Sequence, residues 1–439
     1  MHLRTVLASL SLALLVAPPA RANLDEFLAK PEPAYRWEKK GEKTVSGCTV
    51  TELFLVSQEW HGKPWEHRLF FIRPEKVEFP SFCSLYNAGG KGGDDDVLMG
   101  TVIAKKSGAC CAMLFGVPSQ PLWDKSEDAL VVHTWLEFMA SMKKDGKGDE
   151  SWPLHFPMAK SVIKGMDAVQ EHAKKEGLPA IDSFVICGAS KRGWTTWLVG
   201  ASGDPRVKAI APMVIDCLNV VKQAEHQLSS YGRPSEQVHD YTAAGMMQMF
   251  ATPEGKRLLE LEDPWSYRER LVLPKLIICG TNDRYWTQDA LNIYWDDLKG
   301  PKWVLYVPNS GHGLEDRSRV LSTMAAFVRG IAKGGGLPGL SWSYASTKDG
   351  GAVLGLKSDV PMEEARLFHA SAKTKDFRNS KWQFDAMAGD SGSFKASIDG
   401  PTEGWLVAYG EAVYSIDGIR FTISSQLRIM GAAEKKKWY

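Results

Sequence analysis

Three residues that could together perform nucleophilic catalysis follow one another along this 439-residue chain in the order serine, aspartate, histidine. Ser190, Asp283 and His312 each come shortly after an apolar run that is typical of a buried strand. A serine hydroxyl becomes a good nucleophile when an imidazole accepts its proton, and a carboxylate orients that imidazole and stabilises its cation. The order and the strand-end positions therefore predict a Ser-His-Asp triad.

The sequence around Ser190 predicts a sharp turn between a strand and a helix. Residues 181–187 are apolar and partly β-branched, and an apolar pattern that suits a helix resumes at residues 194–199. Such a turn, called a nucleophile elbow, exposes the serine above the sheet, and free N–H groups at the helix start can bind an anion. The usual elbow has the sequence Gly-x-Ser-x-Gly, whereas Arg192 occupies the second glycine position here and Gly193 follows one residue later.

Groups that bind the oxyanion and the substrate are predicted close to this serine. The backbone N–H of Lys191 is one expected oxyanion donor, and a second comes from a glycine-rich loop after an earlier strand, at Gly89 or Gly90. Arg192 and Trp194 are the expected substrate-binding side chains.

Asp216 is the alternative candidate for the acid of the triad. It also follows a strand-like run, at residues 207–215, and some enzymes with this triad take the acid from the earlier position. We favour Asp283 and keep Asp216 as the alternative.

The elements that position these residues are predicted from the spacing of apolar residues. Strand-like runs and helical patterns alternate, which indicates a mostly parallel sheet flanked by helices. The expected strands are residues 81–87, 108–117, 181–187, 207–215, 276–279 and 303–307, and the expected helices are residues 127–142, 157–175 and 317–331. A hairpin is expected at residues 47–72, and residues 217–272 are expected to form an insertion over the strand ends, where α/β sheets bind ligands. Together with the order of the triad, this pattern predicts an α/β-hydrolase fold.

A second domain is predicted after the parallel sheet. Residues 333–339, KGGGLPG, have the composition of a linker, and short alternating strands follow, with Asp417-Gly418 as a hairpin turn. We therefore expect a hydrolase domain at residues 23–335 and an immunoglobulin-like β-sandwich at residues 336–439.

The first 22 residues predict a signal peptide. A positively charged start is followed by a mostly apolar run, and Ala20-Arg21-Ala22 fits a cleavage site. We expect an exported protein, secreted or periplasmic, whose mature chain begins near Asn23. No later stretch has the ~20 uninterrupted apolar residues that a membrane-spanning helix needs, so no transmembrane segment is expected.

Composition and cysteine spacing argue against several other classes of protein. The net charge of +1 gives no indication of nucleic-acid binding. Most of the seven cysteines are interpreted as buried thiols because several of them lie in apolar runs. No close Cys/His pair has metal-ligand spacing, and the three aspartates at residues 94–96 are interpreted as the solvated start of a helix. We expect no metal and no cofactor.

Several segments of the chain are similar to those of one known protein family. They are PSQPLW (118–123), EDALVVHTW (127–135), SWPLHFPMAKSVIKGMDAV (151–169), GASKRGWTTWL (188–198), APMVIDCLN (211–219), PKLIICGTND (274–283), YVPNSGHGL (306–314), KDFRNSKWQF (375–384) and GWLVAYGE (404–411). These segments resemble the PhoPQ-activated pathogenicity-related proteins, for which GASKRGW is a specific marker that accounts for Arg192 in the elbow. The resemblance implies an exported α/β-hydrolase domain with a C-terminal β-domain, and it does not specify a substrate.

These observations predict a serine hydrolase that cleaves an ester or amide bond of a small-molecule, peptide or glycan-ester substrate through an acyl-enzyme. A carbohydrate esterase is one alternative, because glucuronoyl esterases have a Gly-x-Ser-Arg-x-Gly elbow that resembles residues 188–193. An aminopeptidase or dipeptidyl peptidase is another alternative, which requires a carboxylate for the substrate amine, and no motif identifies one. The alternative outside enzymes is a secreted binding or signalling protein that keeps the fold without catalysis.

Overall fold

The computed structural model describes residues 24–432, which form a large mixed sheet, a second small sheet and the helices that cover them. The chain begins with the short helix α1 (Leu24–Ala29) and an antiparallel edge of three strands, namely β1 (Arg36–Val45), β2 (Cys48–Trp60) and β3 (Lys63–Pro74). The hairpin predicted at residues 47–72 is therefore confirmed, and β1 lies outside it at the edge of the sheet.

Six parallel strands form the centre of the large sheet. They are β4 (Phe79–Asn87), β5 (Ala109–Phe115), β6 (Ser183–Ala189), β7 (Val207–Met213), β8 (Lys275–Gly280) and β9 (Lys302–Val307). Their spatial order is β5-β4-β6-β7-β8-β9, and β5 joins the antiparallel edge through β3. All seven residues of β5 are buried, as expected for a strand that is covered by helices on both faces.

The helices that connect these strands cover both faces of the sheet. They are α2 (Asp94–Ser107), α3 (Glu127–Asp145), α4 (His155–Lys175), α5 (Lys191–Ala201) and, after β9, α10 (Arg317–Ala332). Alternate residues of β6 point to opposite sides: Phe184 and Ile186 belong to the core under α4 and α5, whereas Val185 and Cys187 belong to the core under α10. The three acidic residues at the start of α2 lie in its first turn, so the predicted helix start is confirmed.

The chain between β7 and β8 is mostly helical. It contains α6 (Val220–Tyr231), α7 (His239–Ala243), α8 (Met246–Met249) and α9 (Pro253–Glu262), with 3₁₀ turns at Glu236–Val238 and Pro264–Tyr267. Two further 3₁₀ turns, Ala290–Ile293 and Trp295–Asp297, lie between β8 and β9.

The C-terminal residues form antiparallel strands in two layers. The strands are β10 (Leu340–Ser346), β11 (Ala352–Ser358), β12 (Glu364–Ala372), β13 (Gln383–Ala386), β14 (Ala388–Asp390), β15 (Ser393–Ile398), β16 (Trp405–Ile416), β17 (Ile419–Ser424) and β18 (Arg428–Gly431). One layer is the four-stranded sheet β10-β11-β15-β14. The other layer contains β12, β13, β16, β17 and β18, and apolar residues such as Leu354 and Tyr414 pack between the two layers.

The second layer continues the central sheet. β17 runs antiparallel to β9, with Ser424 opposite Val304, so the strands of the C-terminal β-domain extend the parallel sheet within residues 24–432. The predicted fold class, an α/β-hydrolase sheet with a C-terminal β-domain, is confirmed. The sequence did not reveal that the two parts share one sheet.

The glycine-rich connection between the two parts is packed against the protein. Gly336 lies under the ring of Trp303, where an added Cβ would be only 2.4 Å from a ring carbon, and Trp303 Nε1 donates a hydrogen bond to Pro338 O at 2.8 Å. Leu337 is buried. Glycines in this segment therefore allow a close approach of the chain, and the domain limits at residues 335 and 336 stay a prediction.

Other sequence predictions have different outcomes in the structure. The signal peptide predicted at residues 1–22 lies outside the described residues. Within residues 24–432, no helix is long and apolar enough to cross a membrane, and no group of three metal-binding side chains is found. All seven cysteines are buried free thiols, as predicted for most of them.

Candidate active site

Ser190 stands at the turn between β6, which ends at Ala189, and α5, which begins at Lys191. Its backbone has φ 59° and ψ −131°, a strained conformation for a residue with a side chain. The Ser190 N–H donates to Met213 O on the neighbouring strand β7 at 2.9 Å, which fixes the turn to the sheet. The strand, the strained serine and the following helix have the geometry of a nucleophile elbow.

The structure explains why the second glycine of this elbow is displaced by one residue. A Cβ at Gly193 would lie 2.9 Å from Met213 O and 2.6 Å from Ile215 Cγ2, so this position has to be glycine for the helix to approach β7. A Cβ at Gly188 would lie 2.7 Å from Arg192 O. Position 192 has no such restriction, because its side chain leaves the elbow and reaches Glu127.

Asp283 and His312 form a hydrogen-bonded pair at the carboxyl ends of β8 and β9. His312 Nδ1 donates to Asp283 Oδ2 at 2.8 Å, and the Tyr285 N–H donates to Asp283 Oδ1 at 2.9 Å. The Tyr285 ring lies 4.2 Å from the imidazole, centre to centre. His312 Nε2 is buried and has no hydrogen-bond partner among residues 24–432, so this nitrogen is available to accept a proton.

His312 lies beside the elbow. It lines a groove between α2 and α10 together with Ala189, the residue before Ser190. On the other side of the elbow, Ser190 and Tyr285 line a second depression, the aromatic cleft described below. The structure thus brings the three predicted triad residues to the same edge of the sheet.

Asp216, the alternative acid, has other partners. Tyr294 Oη donates to Asp216 Oδ1 at 2.5 Å, and Cys279 Sγ donates to Oδ2 at 3.7 Å. Burial raises the pKa of Asp216 to about 7, and the hydrogen bond from Tyr294 opposes this rise. No hydrogen bond joins Asp216 to His312 within the described part of the chain, so the geometry favours Asp283 as the acid.

The predicted oxyanion donors are free of other acceptors. Lys191 is the first residue of α5, and the first N–H groups of a helix have no partner within the helix. Among residues 24–432, the N–H groups of Gly89 and Gly90 donate to no other residue, whereas the Ala88 N–H donates a hydrogen bond to Leu114 O at 2.8 Å. These positions remain predictions, and the loop at Gly89 and Gly90 is the expected source of the second donor.

Glu127 connects the elbow to the loops around it. Its carboxylate accepts two hydrogen bonds from Arg192, each 2.9 Å long, and one from Lys191 Nζ at 2.5 Å. Lys191 Nζ also lies 3.0 Å from Asp128 Oδ1, and Arg192 Nε donates to Val117 O at 2.5 Å. Burial raises the pKa of Glu127, but hydrogen bonds and charge from Arg192 and Lys191 outweigh it, and the net pKa lies well below its usual range.

We call Glu127 with Arg192 and Lys191 the elbow clamp. Arg192 is also packed over Gly89, because an added Cβ there would lie 2.3 Å from Arg192 Nη2. The clamp therefore holds the loop with the predicted oxyanion donors against the elbow. The sequence did not single out Glu127, which has the pattern of an ordinary acidic residue at a helix start.

Trp194, predicted to bind substrate, lies in the wall of the aromatic cleft and is 6% exposed. Its Nε1 donates to Glu262 O at 2.6 Å, and its ring stacks on His155 with centres 4.8 Å apart. Arg192 is the other predicted substrate-binding residue, and its guanidinium donates hydrogen bonds to the Glu127 carboxylate and to Val117 O.

The aromatic cleft is the depression beside Ser190 and Lys191, between the elbow and the helices that follow β7. Six aromatic side chains are among the residues that line it, namely Trp135, Trp194, Tyr241, Phe250, Tyr285 and Trp286. The region predicted as an insertion supplies Tyr241, Phe250 and further apolar residues of α6.

A segment of the C-terminal β-domain supports the loops of Asp283 and His312. Asn282 Nδ2 donates to Ser380 O at 2.7 Å. Asn309 exchanges two hydrogen bonds with the backbone of Trp382, of 3.0 and 2.8 Å. The sequence segment KDFRNSKWQF, at residues 375–384, therefore contacts the edge of the sheet where the candidate triad lies.

The fold and the elbow define a protein of the α/β-hydrolase class. The sequence model of the family described as "PhoPQ-activated pathogenicity-related protein" matches residues 24–378, and the chain belongs to this family.

Individual relatives and solved structures are also similar to the chain. The chain is 28% identical over 441 residues to autocrine proliferation repressor protein A of Dictyostelium discoideum, covering 91% of this chain and 87% of the relative. An acetyl xylan esterase from Paenibacillus sp. R4 superposes with a TM-score of 0.48 at 13% identity, covering 68% of this chain and 91% of that structure. Acetyl xylan esterase 1 from Thermoanaerobacterium sp. superposes with a TM-score of 0.47 at 14% identity, covering 69% of this chain and 93% of that structure.

Proposed function

We propose that the protein is a serine hydrolase that cleaves an ester or amide bond through an acyl-enzyme. One observation carries the proposal: His312 is hydrogen-bonded to Asp283 at 2.8 Å through one ring nitrogen, and its other nitrogen is unpaired among the described residues. Ser190 stands on a strained elbow at the same edge of the sheet, at the carboxyl end of β6. An oriented imidazole with a free nitrogen next to such a serine is the arrangement that nucleophilic catalysis requires.

In the proposed reaction, Ser190 Oγ attacks the carbonyl carbon and transfers its proton to His312 Nε2. Asp283 stabilises the resulting imidazolium, and the N–H groups of Lys191 and Gly89 or Gly90 bind the oxyanion of the tetrahedral intermediate. The bond to the leaving group then breaks, and His312 donates the proton to that group. A water molecule, activated by the same imidazole, attacks the acyl-enzyme and releases the acid.

We also propose that residues 1–22 are a signal peptide and that the enzyme acts after export, in the periplasm or outside the cell. The charged start, the apolar run and the Ala20-Arg21-Ala22 site support this proposal. Mass spectrometry of the exported protein should find an N-terminus near Asn23, and a mature protein that retains Met1 would contradict it.

The charge balance near Ser190 bears on the alternative substrates. A peptidase that binds a free amino group needs an unpaired carboxylate, but Asp128, which lines the aromatic cleft, is paired with Lys191 at 3.0 Å. A carbohydrate esterase is the other alternative among hydrolases, and it would apply if the substrate is a sugar ester with a small acyl group. A binding or signalling protein without catalysis is the outcome if Ser190 proves unreactive.

Labelling with a fluorophosphonate probe tests the proposal. The wild-type protein should be labelled on Ser190, and Ser190→Ala should abolish both labelling and the hydrolysis of p-nitrophenyl acetate. His312→Ala should reduce turnover by several orders of magnitude, because no other group in the proposed mechanism accepts the serine proton. A folded wild-type protein that is neither labelled nor active on any ester or peptide would refute the proposal.

A further inference from the structure

We propose that the aromatic cleft binds the acyl half of the substrate, and that this half is a bulky, uncharged, apolar group such as an arylalkanoyl chain. The inference rests on the proposed function, because it assigns the two halves of a substrate that Ser190 would cleave. It goes further by naming the chemical class of the acyl group.

The walls of the cleft match an apolar ligand. Aromatic and other apolar side chains together form most of the lining, Val220 and Met247 among them. Burying an aromatic group against such walls removes a large apolar area from water, which is the main source of affinity in pockets of this kind.

Two amide side chains in the lining, Gln223 and Gln227, are hydrogen-bonded to other parts of the protein, whereas the buried atoms Trp135 Nε1, Trp286 Nε1 and Thr287 Oγ1 have no partner among residues 24–432. Gln223 Nε2 donates to Leu218 O and Ala290 O, at 3.2 and 3.0 Å. Gln227 donates to Tyr285 O at 2.9 Å and accepts from the Ser235 N–H at 2.7 Å. Both protons of Gln223 Nε2 are therefore used within the protein, which leaves fewer donors in the cleft for a sugar.

The charged side chains in the lining compensate each other. Asp128 is paired with Lys191, and Tyr241 Oη donates to the Asp128 carboxylate at 3.4 Å. Lys191 is paired in addition with Glu127, which is held by Arg192. Two cations and two carboxylates leave no net charge for an ionic group of the substrate, so the cleft favours a neutral ligand.

The position of the catalytic groups decides which half of the substrate enters the cleft. In a Ser-His-Asp mechanism the histidine gives its proton to the leaving group, so the leaving group faces the imidazole. Ser190 and Lys191 line the aromatic cleft, whereas His312 lines the groove on the other side of the elbow, between α2 and α10. The acyl half therefore enters the cleft, and the leaving group lies towards His312.

Two series of esters test this assignment. In the first, the leaving group is p-nitrophenol throughout and the acyl group is acetyl, 3-phenylpropanoyl or hemisuccinyl. We expect kcat/KM for 3-phenylpropanoyl to exceed that for acetyl by about 10- to 100-fold, and hemisuccinyl to be the poorest of the three. In the second series the acyl group stays acetyl and the leaving group changes from p-nitrophenol to 2-naphthol, for which we expect no comparable gain.

A cleft-filling variant and a matched control complete the test. Ala224 of α6 lines the cleft, and Ala224→Trp should reduce the preference for 3-phenylpropanoyl over acetyl by at least about 10-fold. Leu228→Trp introduces the same ring on the same helix at a position that is 49% exposed and outside the lining, and it should leave that preference unchanged. Fluorophosphonate labelling of Ser190 in both variants reports that the elbow is intact.

The outcomes separate this inference from the proposed function. Labelling of Ser190 and hydrolysis of p-nitrophenyl acetate without any preference for 3-phenylpropanoyl would overturn the acyl assignment alone. A preference for 2-naphthyl acetate that Ala224→Trp removes would place the leaving group in the cleft, and would likewise overturn it. No labelling and no hydrolysis of any ester would overturn the proposed function itself.

Discussion

Asp283 and Asp216 both follow strands of the central sheet, but they differ in their partners. Asp283 accepts a hydrogen bond from His312, whereas Asp216 accepts from Tyr294 in a buried site. We expect Asp283→Asn to reduce kcat by up to about 10⁴-fold, because the amide favours the wrong imidazole tautomer. Asp216→Asn should reduce kcat by less than about 10-fold. Steady-state kinetics on one p-nitrophenyl ester measures both, and the reverse ranking would identify Asp216 as the acid.

The raised pKa of Asp216 has a consequence for stability. The pKa of Asp216 is about 7 in the folded protein, against an ordinary value of 3.8, so the unfolded chain releases this proton at lower pH than the folded one does. The contribution of Asp216 to the free energy of unfolding is complete below pH 3.8. It is lost as the pH rises towards 7, by at most about 1.4 kcal/mol per pH unit. The free energy of unfolding, measured by urea unfolding at several pH values, should fall less steeply with rising pH in Asp216→Asn than in the wild type. The control Asp399→Asn, at an exposed position, should keep the slope of the wild type. Equal slopes in the wild type and Asp216→Asn would contradict the prediction.

Arg192 can be tested as a positioning residue, because its guanidinium holds Glu127 and covers Gly89. Arg192→Lys keeps the charge but cannot form the two parallel hydrogen bonds to Glu127. Loosening the loop at Gly89 and Gly90, the proposed source of the second oxyanion donor, should reduce kcat by about 10- to 100-fold for every ester, with little change in KM. A residue that binds substrate directly would instead raise KM for some esters and not others, and that result would favour the original expectation from the sequence.

At the scale of elements, the segment at residues 375–384 links the C-terminal β-domain to the loops of the candidate triad. Asn309, which lies three residues before His312, makes two hydrogen bonds to the backbone of Trp382. We expect Asn309→Ala to reduce kcat by about 10-fold and to lower the free energy of unfolding by about 1–3 kcal/mol. Asn379→Ala removes an exposed side chain of the same segment that contacts Arg284, and its effect should be small. If both variants behave like the wild type, the segment does not support the site.

Local patterns predicted much of this architecture. The sequence indicated the elbow and the strands of the parallel sheet, because their patterns lie within short runs of neighbouring residues. It also gave the order of the candidate triad residues along the chain. β1 was missed because its residues are mostly charged and exposed, with no apolar alternation to mark a strand. The contact between Glu127 and Arg192 joins residues 65 positions apart, and the pairing of β17 with β9 joins residues more than a hundred apart. Neither leaves a pattern in one sequence.

At the scale of the whole molecule, the shared sheet predicts how the chain unfolds. Because β17 pairs with β9 and the core under α10 includes residues of β11 and β16, we expect the two proposed domains to unfold together. Tryptophan fluorescence and far-ultraviolet circular dichroism should give coincident urea transitions with a single midpoint. Two separate transitions would show that the C-terminal β-domain is an independent unit.

The seven cysteines are buried free thiols, so no disulfide joins distant parts of the chain. Burial raises the pKa of each thiol, for example that of Cys110 to about 12, which keeps the thiols unreactive while the protein is folded. If the protein is exported, as proposed, it has no cross-links and would resist proteases through the height of its unfolding barrier. Kinetic stability would then depend on the long sheet that passes through both parts of the molecule, and the C-terminal strands would contribute to the lifetime of the protein as well as to its site.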